Sequence, residues 1–350
     1  MRHIDRMNAK TEAANVVARL KTEYAKSVDA LRSALKAFMS LGVTPDPALR
    51  AGGAFCYPLL RITYNPSGPP PKIARAFARF SAPGVYTTTI TRPDIFGDYL
   101  TEQLGLLMSD FDIEVEVGRS SQEIPFPYVL DGAADIALAD VTATEIARHF
   151  PSTELALIGD EVADGLWEPS LATTRPLALF DGLRTDFSLA RLNHYMGTPA
   201  DHTQQYILFT NYHRYVDEFV RWAAAQLAGD GPYTALSCAG HVLITKETPD
   251  PEKAISDAAW RRHQMPAYHL MAPGRQGISL INIGVGPSNA KNITDHLAVL
   301  RPEAWLMIGH CGGLRDTQRI GDYVLAYAYL RDDHVLDPVL PPEIPIPAIA

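Results

Sequence analysis

Two stretches decide the fold class: ISLINIGVG at residues 278–286 and WLMIGHCGG at residues 305–313. Each is an apolar run that ends in glycines, and the residues between them repeat apolar side chains at helical spacing. A third apolar run, YILFT at residues 206–210, also leads into a helical pattern. Apolar strands that alternate with helices predict a mostly parallel sheet covered by helices on both faces.

The carboxyl ends of these three strands form the predicted ligand site. Ligands of open α/β sheets bind outside the carboxyl ends of the strands. Here those ends carry residues 211–214, 284–289 and 309–313. We therefore expect these three segments to lie side by side at one edge of the sheet.

The first half of the chain predicts a separate α+β domain. Residues 9–39 repeat apolar side chains at three- and four-residue steps, and Gly42 stands where a C-terminal cap belongs. Past the Pro-rich segment 65–71, the pattern predicts two strands and a helix, at residues 85–90, 113–117 and 94–108. The domain boundary is expected between residues 175 and 205.

Composition narrows the classes of function. The 350 residues are 47% hydrophobic, which excludes a disordered or disulfide-stapled protein. Lys and Arg number 31 against 40 Asp and Glu, a net charge of −9 that argues against a nucleic-acid partner. No apolar run approaches the roughly 20 residues of a membrane helix, and the N-terminus lacks a secretory signal. With three widely spaced cysteines, Cys56, Cys238 and Cys311, we expect a soluble cytoplasmic protein without a structural metal.

The glycine motif at residues 284–289 is not a dinucleotide fingerprint, because Asn289 stands where a glycine or alanine belongs. It is either a structural turn or a close approach of the backbone to a ligand. Phosphate-loop, zincin and serine-hydrolase motifs are absent from the sequence. Residues 332–334, Asp-Asp-His, are typical of a capped turn more than of a metal site.

The GHCGG motif at residues 309–313 places His310 and Cys311 among glycines at a strand end expected to be buried. This indicates backbone packed against a flat group, and the alternative is a tight turn with an inert buried cysteine. A Cys–His nucleophilic pair is disfavoured, because neighbours on an extended strand point to opposite faces.

Two further segments are cationic. Asn211 and Arg214 open a helix directly after a strand, where backbone N–H groups and a guanidinium favour an anion. An ordinary helix start with an exposed Arg is the alternative. Arg261, Arg262 and His263 follow one another, and so short a run is usually solvated surface.

Five segments together carry a family resemblance, at residues 210–217, 263–270, 283–297, 307–314 and 117–125. They resemble the nucleoside phosphorylase and nucleosidase superfamily and, within it, the bacterial AMP nucleosidases. The likeness covers nearly the whole chain beyond the first fifty residues. It implies an α/β fold with a nucleoside-phosphorylase-like mixed sheet and flanking helices, incomplete at the C-terminus, over residues 191–350. A smaller α+β domain of the AMP nucleosidase type, with a regulatory role, is implied over residues 1–190.

The resemblance also implies an activity, the hydrolysis of AMP to adenine and ribose 5-phosphate in AMP catabolism and purine salvage. It further implies a homohexamer that is activated by MgATP and inhibited by phosphate, with no cofactor in catalysis. A purine nucleoside phosphorylase and a non-catalytic nucleotide-binding remnant are the alternatives.

Roles for individual residues follow from the same resemblance. Arg214 falls where the superfamily binds phosphate, and His310 falls where it positions ribose and the attacking group. Cys311 and Gly312 fall where backbone lies against the base. Met307 replaces a second phosphate-binding Arg of the phosphorylases, which favours water over phosphate as nucleophile.

The remaining implied substrate contacts come from the strand ends and from the cationic triplet. The triplet falls near the segment with which a neighbouring subunit caps the 5′ end of ribose, which carries a phosphate in AMP. These residues are Asn211, Gly284, Gly286, Asn289, Arg261, Arg262 and His263.

The family's general acid and its ribose-binding carboxylate belong to late motifs that are absent here, so the general-acid Asp is expected beyond Ala350. We therefore expect the 350 residues alone to cleave AMP slowly, because a general acid contributes roughly 10²–10⁴ in rate.

Overall fold

The computed structural model describes residues 6–130, 141–154, 162, 166–332, 334–335, 337–338 and 340–348. The chain divides into two compact units, Met1–Ala190 and Arg191–Ala350. The N-terminal unit has 190 residues and the C-terminal unit 160.

The N-terminal unit is built from helices and a four-stranded sheet in the order β3-β1-β2-β4. Strand β1 runs antiparallel to β2 and β3, and β4 pairs parallel to β2. The elements are α1 (Arg6–Leu41), α2 (Pro47–Ala51), β1 (Cys56–Tyr64), β2 (Gly84–Thr89), α3 (Pro93–Asp110), β3 (Ile113–Glu123), α4 (Phe126–Leu130), α5 (Ala143–Ala147), β4 (Arg175–Pro176) and α6 (Gly182–Met196).

Helix α1 confirms the prediction for residues 9–39. Its apolar stripe packs on α3 and on β1, with Leu31 and Leu35 fully buried against Phe55 and Tyr57. The helix ends at Gly42, which has φ +66° and donates its N–H to the Phe38 carbonyl at 3.0 Å. The left-handed conformation of this cap is the one that glycine adopts without steric cost.

A carboxylate, Asp186, is buried in the N-terminal unit at 1% exposure. The Tyr57 hydroxyl donates to its Oδ2 at 2.7 Å, and Thr91 Oγ1 donates to its Oδ1 at 2.8 Å. Arg92 Nε lies 3.6 Å from Oδ1. Burial raises the pKa of Asp186 to about 6, against the lowering effects of Arg92 and the two hydroxyl groups.

The C-terminal unit contains a six-stranded sheet in the order β10-β5-β9-β8-β6-β7. A short pair, β11 with β12, lies outside this sheet. The elements are β5 (Tyr206–Thr210), α7 (His213–Ala228), β6 (Ala235–Cys238), β7 (Val242–Ile244), α8 (Pro251–Ser256), β8 (Ala267–Met271), β9 (Ile278–Asn282), α9 (Pro287–Leu297), β10 (Ala304–Met307), β11 (Ala328–Tyr329) and β12 (Ile346–Pro347).

The sheet is mixed, as the family resemblance implies. Strands β10, β5 and β9 are parallel, whereas β8, β6 and β7 pair antiparallel. The prediction of a mostly parallel sheet is therefore wrong. An apolar run shows that a strand is buried on both faces, but it does not encode the direction of the strand.

Strand β10 is more exposed than its apolar sequence predicts. Trp305, Leu306 and Met307 are 41%, 50% and 49% exposed, although an apolar strand predicts cover on both faces. The reason is position: β10 is an edge strand that pairs on one side, with β5.

Candidate functional site

The three predicted strand ends do meet at one edge of the C-terminal sheet. Met307 pairs with Phe209, and Thr210 pairs with Asn282, so β10, β5 and β9 end at similar heights. The segments that follow them therefore lie side by side, as the sequence predicts.

The segment after β5 contacts the segment after β10 through aromatic rings. The Tyr212 ring packs on His310 with a centroid distance of 4.4 Å, and Tyr215 meets His310 edge-on at 5.5 Å. His310 is exposed beyond this contact. Two tyrosines of one helix start thus orient the predicted catalytic histidine.

Asn211 points toward the same segment. Its Oδ1 is buried and accepts no hydrogen bond within the part of the chain that the structure describes. A Cβ placed on Gly309 would lie 3.8 Å from this oxygen. A buried acceptor costs free energy unless it meets a donor, so Asn211 is suited to accept a hydrogen bond from a ligand.

The segment after β9 is a glycine turn. Gly284 has φ +66° and Gly286 has φ +109°, which are conformations that L side chains rarely adopt. Asn289 Nδ2 donates to the Val285 carbonyl at 3.3 Å and closes the turn. The turn has a structural role, and contact of these residues with substrate stays a prediction.

The turn is joined to the start of α7 by Asn282, which is 5% exposed. Asn282 Oδ1 accepts the Gly284 N–H at 3.1 Å, and Asn282 Nδ2 lies 3.4 Å from His213 Nδ1. The ends of β5 and β9 are thereby connected through one buried amide.

The cationic triplet does not act as one cluster. The Arg261 guanidinium lies 4.4 Å from the Trp260 ring centroid, and Trp260 lies 5.7 Å from the ring of His213. His263 turns away, with its Nδ1 3.3 Å from the His194 carbonyl. Arg262 is exposed. Of the three, Arg261 is the residue connected to the site, through an indole.

The other predicted residues lie on the surface. Arg214 is exposed in the first turn of α7 and forms no ion pair among the described residues. Cys311 and Gly312 are also exposed. The expectation of a buried strand end at Cys311 is therefore wrong, because β10 is an edge strand and the residues after it stay exposed.

One histidine of the resembling segments, His269, belongs to the core. It is fully buried between Thr198 Oγ1 at 2.8 Å and Ser279 Oγ at 2.7 Å. Burial lowers its pKa to about 3, so the imidazole is neutral at physiological pH. This geometry fits a structural hydrogen-bond role.

No group of three or more metal-binding side chains occurs among the residues that the structure describes. His334 Nδ1 instead lies 2.6 Å from Asp337 Oδ2, and Asp333 lies outside the described residues. Across the described chain, no helix is long and apolar enough to cross a membrane.

The sequence did not indicate two site residues, Trp260 and Asn282, and it indicated Tyr212 and His213 only as part of the segment 211–214. Asn282 could have been found, since it is a polar residue inside an apolar strand directly before a glycine turn. No sequence pattern identifies Trp260 as a site residue, because its contact with His213 arises only in the tertiary fold.

Comparison with known proteins defines the class. Residues 15–174 match the family model "Bacterial AMP nucleoside phosphorylase N-terminus", and residues 242–349 match "Phosphorylase superfamily". The C-terminal unit is thus a phosphorylase-superfamily domain.

Individual relatives identify the family more narrowly than the two family models do. AMP nucleosidase of Escherichia coli K12 is 57% identical over 338 residues, which cover 96% of this chain and 69% of that protein, and the Escherichia coli O157:H7 protein gives the same values. A crystal structure of AMP nucleosidase from Bacteroides thetaiotaomicron VPI-5482 is 25% identical, with a TM-score of 0.33, over 46% of this chain and 55% of that one. The chain belongs to the AMP nucleosidase family, which is a family of enzymes.

Proposed function

We propose that this protein hydrolyses the N-glycosidic bond of AMP and releases adenine and ribose 5-phosphate. The observation that carries the proposal is the 57% identity to AMP nucleosidase of Escherichia coli over 96% of the chain. The chain spans 69% of the length of that relative, and the strand ends after β9 and β10 lie within the phosphorylase-superfamily match at residues 242–349.

In the proposed mechanism, the leaving adenine is protonated and water attacks an oxocarbenium-like ribosyl group from the opposite face. Arg261, which stacks on Trp260 beside His213, supplies positive charge for the 5′-phosphate, and Arg214 with the backbone N–H groups at the start of α7 forms the separate anion site that orthophosphate occupies. His310, held by Tyr212, positions the ribose and the water. The buried Asn211 Oδ1 accepts a donor of the bound ligand.

Water is the proposed nucleophile because of Met307, the last residue of β10. A thioether carries no charge, whereas the phosphorylases have an Arg at the matching position. The absence of one charged hydrogen bond weakens the binding of a phosphate nucleophile by roughly 1.5–3 kcal/mol. This argues for hydrolysis over phosphorolysis.

We propose in addition that the N-terminal unit binds MgATP as an activator, that phosphate inhibits at Arg214, and that the protein works as a homohexamer in the cytoplasm. The match of residues 15–174 to an N-terminal model specific to these enzymes supports a separate role for this unit. Titration of MgATP into the whole chain, with MgAMP as comparison, tests the first point.

The substrate is tested by comparing AMP with adenosine in calorimetric titrations of the whole chain. A site built around a charged group rejects a ligand that lacks it, so we expect AMP to bind at least a hundredfold more tightly than adenosine. Equal affinities for the two ligands would contradict the proposal.

A further inference from the structure

The hydrogen bonds around the His213 imidazole favour a proton on one of its two ring nitrogens. The buried Asn282 accepts the Gly284 N–H through its Oδ1 at 3.1 Å, and this bond fixes the orientation of the carboxamide. Asn282 Nδ2, which can only donate, therefore faces His213 Nδ1 at 3.4 Å. This contact is a hydrogen bond when Nδ1 carries no proton, so the geometry favours the Nε2–H tautomer of His213.

The surroundings of this donor are suited to an anion. His213 is the first residue of α7, where the helix N-terminus carries partial positive charge, and it is exposed. Arg214 follows it in the chain. On the other side, the His213 ring faces Trp260, on which the Arg261 guanidinium stacks. The His213 ring thus lies at a helix start and beside an indole on which the Arg261 guanidinium stacks.

We infer that His213 donates its Nε2–H to a phosphate oxygen of the bound nucleotide and that Asn282 is the positioning residue that maintains this tautomer. The inference rests on the proposed function, because AMP is the ligand. The opposite tautomer would direct a lone pair at an anionic oxygen. It would also require the Asn282 amide to rotate and to lose its bond to the Gly284 N–H, which stabilises the glycine turn.

The ligand contact is tested by titrating AMP and adenosine into the whole chain and its variants. We expect His213→Ala to weaken AMP binding about tenfold, the effect of one hydrogen bond to a charged group, and to leave adenosine binding unchanged. His213→Gln, whose amide nitrogen can replace Nε2 as donor, should recover most of the affinity. His334→Ala is the matched control, since His334 is an exposed histidine paired with Asp337, and it should bind AMP like the wild type.

The tautomer is tested separately by ¹⁵N NMR of the histidine ring. In the wild type we expect a proton on Nε2 and none on Nδ1. Asn282→Asp replaces the amide donor with an acceptor, so Nδ1 should become protonated. Because the new carboxylate also repels AMP, the affinity is measured in Asn282→Ala, where it should fall although His213 itself is intact. Asn282→Ala, which removes the partner, serves as a second variant if Asn282→Asp does not fold.

The outcomes separate this inference from the proposed function. A wild-type chain that binds no AMP contradicts both. If AMP binds and His213→Ala binds it equally well, the inference alone is wrong. The same holds if the variant weakens AMP and adenosine equally, since the contact would then be to the ribose. A proton on Nδ1 of wild-type His213 also overturns it.

Discussion

Single residues in this chain carry charge in two contrasting environments. Arg214 is exposed at a helix start, where a phosphate can replace water around it. Asp186 is buried, with two hydroxyl groups donating to it, and burial raises its pKa to about 6. The first arrangement favours ligand binding, whereas the second makes stability depend on pH.

Arg214→Ala should weaken binding of orthophosphate about tenfold, because one charged hydrogen bond is lost. Arg221→Ala is the matched control, since Arg221 is exposed on the same helix and pairs with Glu218 at 2.8 Å. Phosphate titrations of the three proteins measure the difference. Unchanged phosphate affinity in Arg214→Ala would place the phosphate site elsewhere.

Asp186 predicts a pH-dependent free energy of unfolding. Its ordinary pKa is 3.8 and its folded pKa is about 6. Between these values the folded state binds more protons than the unfolded state, so stability falls as pH rises from about 4 to about 6 and remains lower above it. A shift of this size corresponds to about 3 kcal/mol.

Urea unfolding of the wild type and of Asp186→Asn at several pH values measures this effect. The variant has no carboxyl group to titrate there, so the stability difference between the two proteins should change with pH over this window. Asp98→Asn, on the exposed side of α3, is the control and should follow the wild type. A stability difference that stays constant from pH 4 to pH 7 would show that Asp186 does not titrate as described.

At the scale of elements, two helices end in the same way but in different surroundings. Gly42 after α1 and Gly197 after α6 have φ +66° and +69°. A Cβ on Gly42 would meet nothing within 4 Å. A Cβ on Gly197 would lie 2.3 Å from Cδ2 of His263. The second glycine therefore provides both a backbone conformation and the space that His263 occupies.

Gly42→Ala should destabilise the protein by about 1–2 kcal/mol, the cost of a left-handed conformation for an L residue. Gly197→Ala should cost more, because it adds displacement of the His263 ring to the same backbone cost. Denaturant unfolding of both variants provides the comparison. Equal losses would mean that the His263 contact is not tight.

Some helices and strands of this fold can be predicted from the sequence, and others cannot. Helix α1 and strand β5 were predicted within three residues, because their apolar periodicity reflects local geometry and burial. The direction of β8 was not predicted, since antiparallel and parallel buried strands have the same composition. In the site, strand ends located Asn211 and His310, whereas the contact of Trp260 with His213 depends on packing between segments that are distant in sequence.

At the scale of the whole molecule, two units match two different family models, and the C-terminal unit carries the candidate site. The strand ends provide the helix start at which we propose that phosphate binds, an aromatic support for His310 and a glycine turn. The central claim is that this arrangement supports cleavage of AMP by water.

Identifying the sugar product of AMP cleavage in phosphate buffer tests that claim most directly. The protein is used in excess over AMP, so that even slow cleavage yields a measurable product, and the same buffer without phosphate serves as control. Ribose 5-phosphate, formed together with adenine in both buffers, is the predicted result, because Met307 provides no charge to bind a phosphate nucleophile. Ribose 1,5-bisphosphate, formed in phosphate buffer alone, would contradict it.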